Sequence, residues 1–179
     1  TEIYTLSLHD ALPIYIERGI SEGRFHCGIA PVYEMKNEFD YFELYKEYAK
    51  LYCAASHPLY CGSCDKNISV DVLRQQKIIN HLYVTPRDER RLIPVQESGV
   101  QAVQVESVAM LILTGHFIGY LPEHYAAPFI ARGQLCELGD DTLRRETAFC
   151  LVMKKGRKIN PIIRLFMQAL EIGEADAAH

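Results

Sequence analysis

Four side chains able to bind a metal or exchange electrons fall within twelve residues: Cys53, His57, Cys61 and Cys64. Zinc takes four nitrogen or sulfur ligands in a tetrahedron, and a C-x-x-C such as Cys61-Gly62-Ser63-Cys64 supplies two of them from one tight turn. The same spacing would serve a dithiol that closes and opens a disulfide. Strong zinc signatures come as two such pairs, and here there is one. Two free thiols in a surface loop is the favoured reading, with a thiol or metal sensor built on Cys61 and Cys64 as an alternative. His81, His116 and His124 fall near expected strand ends. A Cys–His nucleophilic pair also needs an oxyanion site, and the chain contains no G-x-S-x-G elbow. No enzymatic activity, cofactor or bound metal is therefore expected. A charged cluster, Arg87, Glu89, Arg90 and Arg91, is either a solvated helix face or a set of groups holding an anionic ligand.

Regular elements must carry these groups. Hydrophobic patterning predicts a helix over residues 15–22 stopped by Gly23, then a strand over 24–30. Residues 32–43 read as polar and irregular, 44–55 as containing a strand, and 61–67 as a loop. Ser69 is a plausible cap for a helix over 70–76, and a strand follows at 78–84. Thr85-Pro86-Arg87-Asp88 has the composition of a helix start: a capping hydroxyl, a proline at the first helical position and a carboxylate three residues after the cap. Another strand is expected over 100–105. Residues 105–138 then read as helix, tight turn, buried strand and second helix. Ser107 caps the first helix, Val108, Leu111 and Ile112 lie on one face, and Gly115 stops it. Met110, Leu111 and Leu113 suit a core or dimer contact better than a ligand pocket. Residues 117–121 form a short apolar run, as in a strand covered on both faces, and Pro122 opens the next helix. Buried strands alternating with helices predict an α/β layer architecture.

Composition narrows the partners. The 179 residues carry a formal net charge of −4. That is not the basic face that nucleic-acid binding requires. The mean hydropathy of −0.07 suits a globular chain. No apolar run approaches the roughly 18 residues of a membrane span, so no membrane partner is expected. Six cysteines without a visible secretory leader point to the reducing cytoplasm.

The segment comprising Glu106, Ser107, Thr114, Gly115, Ile118, Gly119, Tyr120, Leu121 and Pro122 resembles the second half of the effector-binding domain of LysR-type transcriptional regulators. In that family a polar residue and a serine open a helix, a glycine turn closes it, and a strand of the form G-I-x-x-L-P follows. Upstream, Glu22-Gly23-Arg24-Phe25-His26-Cys27-Gly28-Ile29 is similar to the family's E-G-x-x-D-x-G-I, with His26 in the usual acidic place and Cys27 in a usually apolar one. Ser56-His57-Pro58-Leu59 resembles the S/D-H-P-L that ends the first crossover between lobes. Residues 149–153 resemble the return crossover, and Asn160-Pro161-Ile162 the start of the closing helix. The resemblance runs in order over residues 15–172.

It implies a type-2 periplasmic-binding-protein-like α/β fold: two α/β lobes joined by two crossover strands, with the first lobe incomplete. Residues 15–55 and 149–172 would form the partial first lobe, 56–148 the second, and 173–179 a flexible tail. Residues 1–14 resemble the translation of a sequencing adapter and are expected to stand outside the fold. The implied function is effector sensing for a regulator whose DNA-binding domain is absent from this chain. A free-standing solute-binding protein is an alternative. The implied partner is a small organic effector, an anion, with DNA reached only through the missing domain and a homodimer or homotetramer formed at full length. Ligands in such sheets bind beyond the carboxyl ends of strands. That places the effector-binding candidates at Ala30 and Pro31, at Tyr83, Val84 and Thr85, at Val105, Glu106 and Ser107, and at Phe117 and Tyr120.

Overall fold

The computed structural model describes residues 13–60, 68–81, 100–102 and 104–172. Two compact units emerge, one from residues 1–45 and 148–179, the other from residues 46–147. Two long strands, β2 (Phe39–Ala54) and β7 (Arg145–Lys154), contribute to both.

In the first unit, α1 (Pro13–Ser21) packs Ile16 and Ile20, four residues apart on one face, against Ala30, Phe39, Tyr41, Cys150 and Val152. Gly23, at φ +74°, ends the helix. The strand β1 (Cys27–Val32) pairs antiparallel with β7, from Cys27 opposite Met153 to Val32 opposite Ala148. The opposite face of β7 carries Leu151 and Met153, which bury with Phe42 against α5 (Pro161–Ala169) through Met167, Ile163 and Phe166. The start of α5 is locally encoded: Asn160 Oδ1 accepts from the Ile163 amide at 2.8 Å, and Pro161 takes the first helical position.

In the second unit, β2 is flanked by β5 (Gly119–Pro122) and β6 (Leu135–Leu138), both antiparallel to it. Beyond β5, a parallel bridge between Ile78 and Ile118 leads to the short parallel pair β3 (Asn80–His81) and β4 (Gln101–Ala102). One face buries Leu51, Cys53, Ile118, Tyr120 and Leu138 under Leu73 of α2 (Val70–Arg74) and Leu143. The other buries Tyr52, Ala54 and Leu121 under α3 (Val105–Leu113) and α4 (Glu123–Ala131), through Val108, Ala109, Ile112 and Ala126. A sheet covered by helices on both faces is the α/β layering that the alternating pattern predicts.

Several local expectations shift. The helix α1 begins at Pro13, inside the segment expected to stand outside the fold. Proline suits a first helical position, and the buried face of the following turn extends the helix back to it. The strand β2 starts at Phe39, within the stretch expected to be irregular, because Phe39 and Tyr41 alternate into one core and Phe42 into another. The strand expected over 24–30 runs instead from Cys27 to Val32. The strand expected over 100–105 stops at Ala102, and α3 starts at Val105, so Gln104 is its N-cap and makes no side-chain cap bond. Ser107 thus lies inside the first turn and is not the cap. Pro122 is the last residue of β5 and the N-cap of α4, one place before the expected helical position. Ser69 does cap α2, its hydroxyl accepting from the Val72 amide at 3.4 Å, although α2 ends at Arg74. Residues 1–12, the loop holding Cys61 and Cys64, the Thr85 cap with Arg87, Glu89, Arg90 and Arg91, and the 173–179 tail lie outside the described residues.

His57, buried after β2, accepts the Leu59 amide on Nδ1 at 3.1 Å. Burial first, and the neighbouring His116 second, hold its imidazole below the ordinary histidine value. The folded chain therefore binds fewer protons here than the unfolded chain, and stability falls as the pH drops through about 6.5. Chemical denaturation between about pH 7.5 and 5.5 should show His57→Asn losing less stability than the wild type across that window. An equal loss in both would remove His57 as the source.

Candidate functional site

The N-terminus of α3 offers free donors. The first helical bond runs from the Val108 amide to the Gln104 carbonyl (3.1 Å), so the amides of Val105, Glu106 and Ser107 have no acceptor within the helix. Ser107 has no side-chain partner among the described residues, while Glu106 lies at the positive end of the helix dipole. The helix reaches β5 closely because Gly119 has no side chain: a Cβ there would sit 3.1 Å from Ile112 Cδ1 and 3.3 Å from Val108 Cγ1.

Of the other candidates in the second unit, Phe117 and Val105 pack into the cluster beneath α3 and α4. Tyr120 faces the opposite cluster beneath α2. Its ring lies under the Arg145 guanidinium, 3.5 Å from carbon to centroid. Burial pushes the Tyr120 phenol above its ordinary range, and the Arg145 charge opposes that shift. In the first unit, Ala30 is buried opposite Cys150 and Pro31 stands opposite Phe149, both on β1. Tyr83, Val84 and Thr85 lie outside the described residues.

Reading for candidate residues passed over Arg145, because a lone arginine at a strand start carries no motif. It also passed over the pairs linking β2 to β7. Tyr45 stacks on Phe149 at 4.9 Å and 6°, Lys46 pairs with Glu146 at 2.6 Å, and Arg144 lies 4.4 Å from the Tyr48 ring. Lys50 is held by Glu137 (3.2 Å), Asp141 (3.6 Å) and Glu123 (3.8 Å). Those three carboxylates leave no positive charge free there for a ligand.

The other candidate chemistry is not assembled among the described residues. Cys53 is wholly buried in the strand core, and His57 is engaged with its own turn. Among the described residues no group of three or more His, Cys, Asp or Glu side chains could hold a metal ion. No described helix is long and apolar enough to cross a membrane.

The model of the LysR substrate binding domain matches residues 4–173. This chain belongs to the LysR substrate-binding domain family. Its LysR domain is 34% identical over 160 residues to the HTH-type transcriptional activator BauR of Pseudomonas aeruginosa, covering 89% of this chain and 52% of the relative. The chain thus spans about half the length of that curated relative. Among solved structures, the regulatory domain of HypT from Salmonella typhimurium in its apo form is similar with a TM-score of 0.70 at 16% identity, over 90% of this chain and 78% of that one. The reduced form of OxyR gives a TM-score of 0.70 at 19% identity, over 92% and 77%. The effector binding domain of QuiR in complex with shikimate gives 0.68 at 15%, over 89% and 77%. These likenesses establish the type-2 periplasmic-binding-protein-like fold of the LysR domain.

Proposed function

We propose that this LysR domain senses a small organic effector for a transcriptional regulator of the cytoplasm. The observation that carries the reading is the family match over residues 4–173, supported by the relationship to a relative named as an HTH-type activator. DNA would be bound by a helix-turn-helix domain of the whole regulator and not by this domain, whose chain carries a formal net charge of −4. The lobes, expected as residues 15–55 with 149–172 and residues 56–148, would divide within the crossover strands β2 and β7, near the unit boundaries at 45–46 and 147–148. The effector would be an anion. Its candidate contacts would be Ala30 and Pro31 in the first unit and the start of α3, Phe117 and Tyr120 in the second, with Tyr83, Val84 and Thr85 as candidates outside the described residues. Amides at a helix N-terminus favour a carboxylate both as donors and through the dipole. Ligand binding would bias a pre-existing equilibrium between domain arrangements, which the full-length dimer or tetramer would transmit to DNA; that is a population shift and not catalysis.

Ser107→Ala separates this site from a merely structural role. Because Ser107 is not the cap, the substitution should change stability by less than about 0.5 kcal/mol. In the full-length regulator it should weaken effector affinity roughly 5- to 150-fold, the equivalent of losing about 1–3 kcal/mol of hydrogen bonding. Calorimetric titration with a cognate effector found by thermal-shift screening provides the measurement. An unchanged affinity would remove the Ser107 hydroxyl from the site.

A further inference from the structure

Among the described residues, two buried polar atoms have no hydrogen-bond partner: the Tyr120 hydroxyl and Arg145 Nε. They belong to a single stack, in which the guanidinium lies over the ring with its carbon 3.5 Å from the centroid. The stack sits where β5 and the first residue of β7 meet the Leu51 face of the sheet. Its cation is also unmatched. Nearby, Lys46 has Glu146, Lys50 has three carboxylates and Arg144 rests on Tyr48, whereas no described carboxylate pairs with Arg145. Buried polar groups without partners are rare, and each costs about 1–3 kcal/mol. Arg145 as a whole is only partly buried, so it is the Nε alone that lacks both a partner and water.

We infer that Arg145 and Tyr120 form a subsite for an oxyanion, the carboxylate of the effector that this LysR domain senses; the inference rests on the effector-sensing reading above. A guanidinium presents a planar fork of N–H donors matched to the two oxygens of a carboxylate. The Tyr120 hydroxyl is a second donor beside that fork, and its raised phenol keeps the proton it would donate. Arg145 Nε is closed to solvent while it lies over the ring. A carboxylate that engages Nε as well as a terminal nitrogen requires the guanidinium to shift from its place over the ring. The subsite lies on the sheet face away from α3, so its contact is independent of the amide donors of that helix.

The test uses the 179-residue chain labelled with nitrogen-15 and sodium acetate as the probe, against sodium chloride at equal ionic strength and against inorganic phosphate. The Arg145 Nε–Hε resonance, assigned by its loss in Arg145→Met, starts shielded by the ring. It should move downfield and saturate with acetate, and move far less with chloride. Acetate affinity, read from the Tyr120 amide, should fall at least about tenfold in Arg145→Met and several-fold in Tyr120→Phe. Arg145→Lys keeps the charge without the fork and guards against a folding defect; it too should bind acetate more weakly. Unchanged affinity in Arg145→Lys or Arg145→Met overturns the subsite. So does an equal response to chloride, or saturation by phosphate but not acetate. If uncharged small molecules bind while the Arg145 signal stays fixed, the subsite fails and the effector reading stands. If no small molecule of either kind binds, the effector reading itself fails.

Discussion

Leu51→Ala should destabilise the second unit by about 2–5 kcal/mol, the range for emptying a large aliphatic side chain from a packed core. Leu51 is fully buried. It lies opposite Tyr120 on one side and Leu138 on the other, so β5 and β6 both pack on it. The residual cavity would open beneath Tyr120, and the stack with Arg145 would lose its floor. Urea denaturation followed by circular dichroism reads the loss. Leu165→Ala on α5, where the side chain is 65% exposed, should change stability by less than about 0.5 kcal/mol. A Leu51→Ala cost below about 1 kcal/mol would mean that the site collapses freely and that β2 is not the keystone of this unit.

Gly115→Ala should be nearly as damaging, for two separable reasons. Gly115 closes α3 at φ +77°, where an L side chain costs about 1–2 kcal/mol. It is also buried, and a Cβ there would collide with Ser56 Oγ and stand 3.2 Å from Ser56 Cβ and 3.4 Å from the Ser56 carbonyl carbon. Gly133 provides the comparison within the same unit: its φ is +67°, with nothing within 4 Å of the added carbon. Gly133→Ala should therefore show the backbone cost alone, and Gly115→Ala that cost plus the collision. Adding Ser56→Ala should recover part of the difference and leave the backbone part, as a double-mutant cycle would show. Equal losses at the two glycines would mean that the segment carrying Ser56 moves aside without cost.

The effector candidates were legible to different depths. Ser107, Phe117 and Tyr120 could be named because they fall within a helix–turn–strand pattern whose punctuation is local. Which face each apolar residue takes was not legible: Phe117 and Tyr120, three residues apart, pack on opposite sides of the sheet. Arg145 was invisible because its partner is 25 residues earlier and nothing beside it in the chain marks it. The cap of α3 was misplaced for a similar reason. Ser107 has the right chemistry, but packing of Val105 beneath the helix, with β4 ending at Ala102, draws the helix start back to Gln104.

The elements whose cause lies within a few residues could be read directly from their amino acids. Asn160-Pro161 starts α5 and Ser69 starts α2, because a side-chain oxygen reaches an amide three residues ahead. Gly115 ends α3, because it alone tolerates the left-handed turn there. The order of these motifs was enough to indicate the family. Strand order, register and the pairing of remote side chains required the folded chain. Cys53 meets Cys136 and Leu51 meets both Tyr120 and Leu138 only after β2, β5 and β6 have found one another. A one-residue slip in that pairing would turn every side chain to the other face, and what prevents it is the fit of two buried clusters drawn from distant parts of the chain.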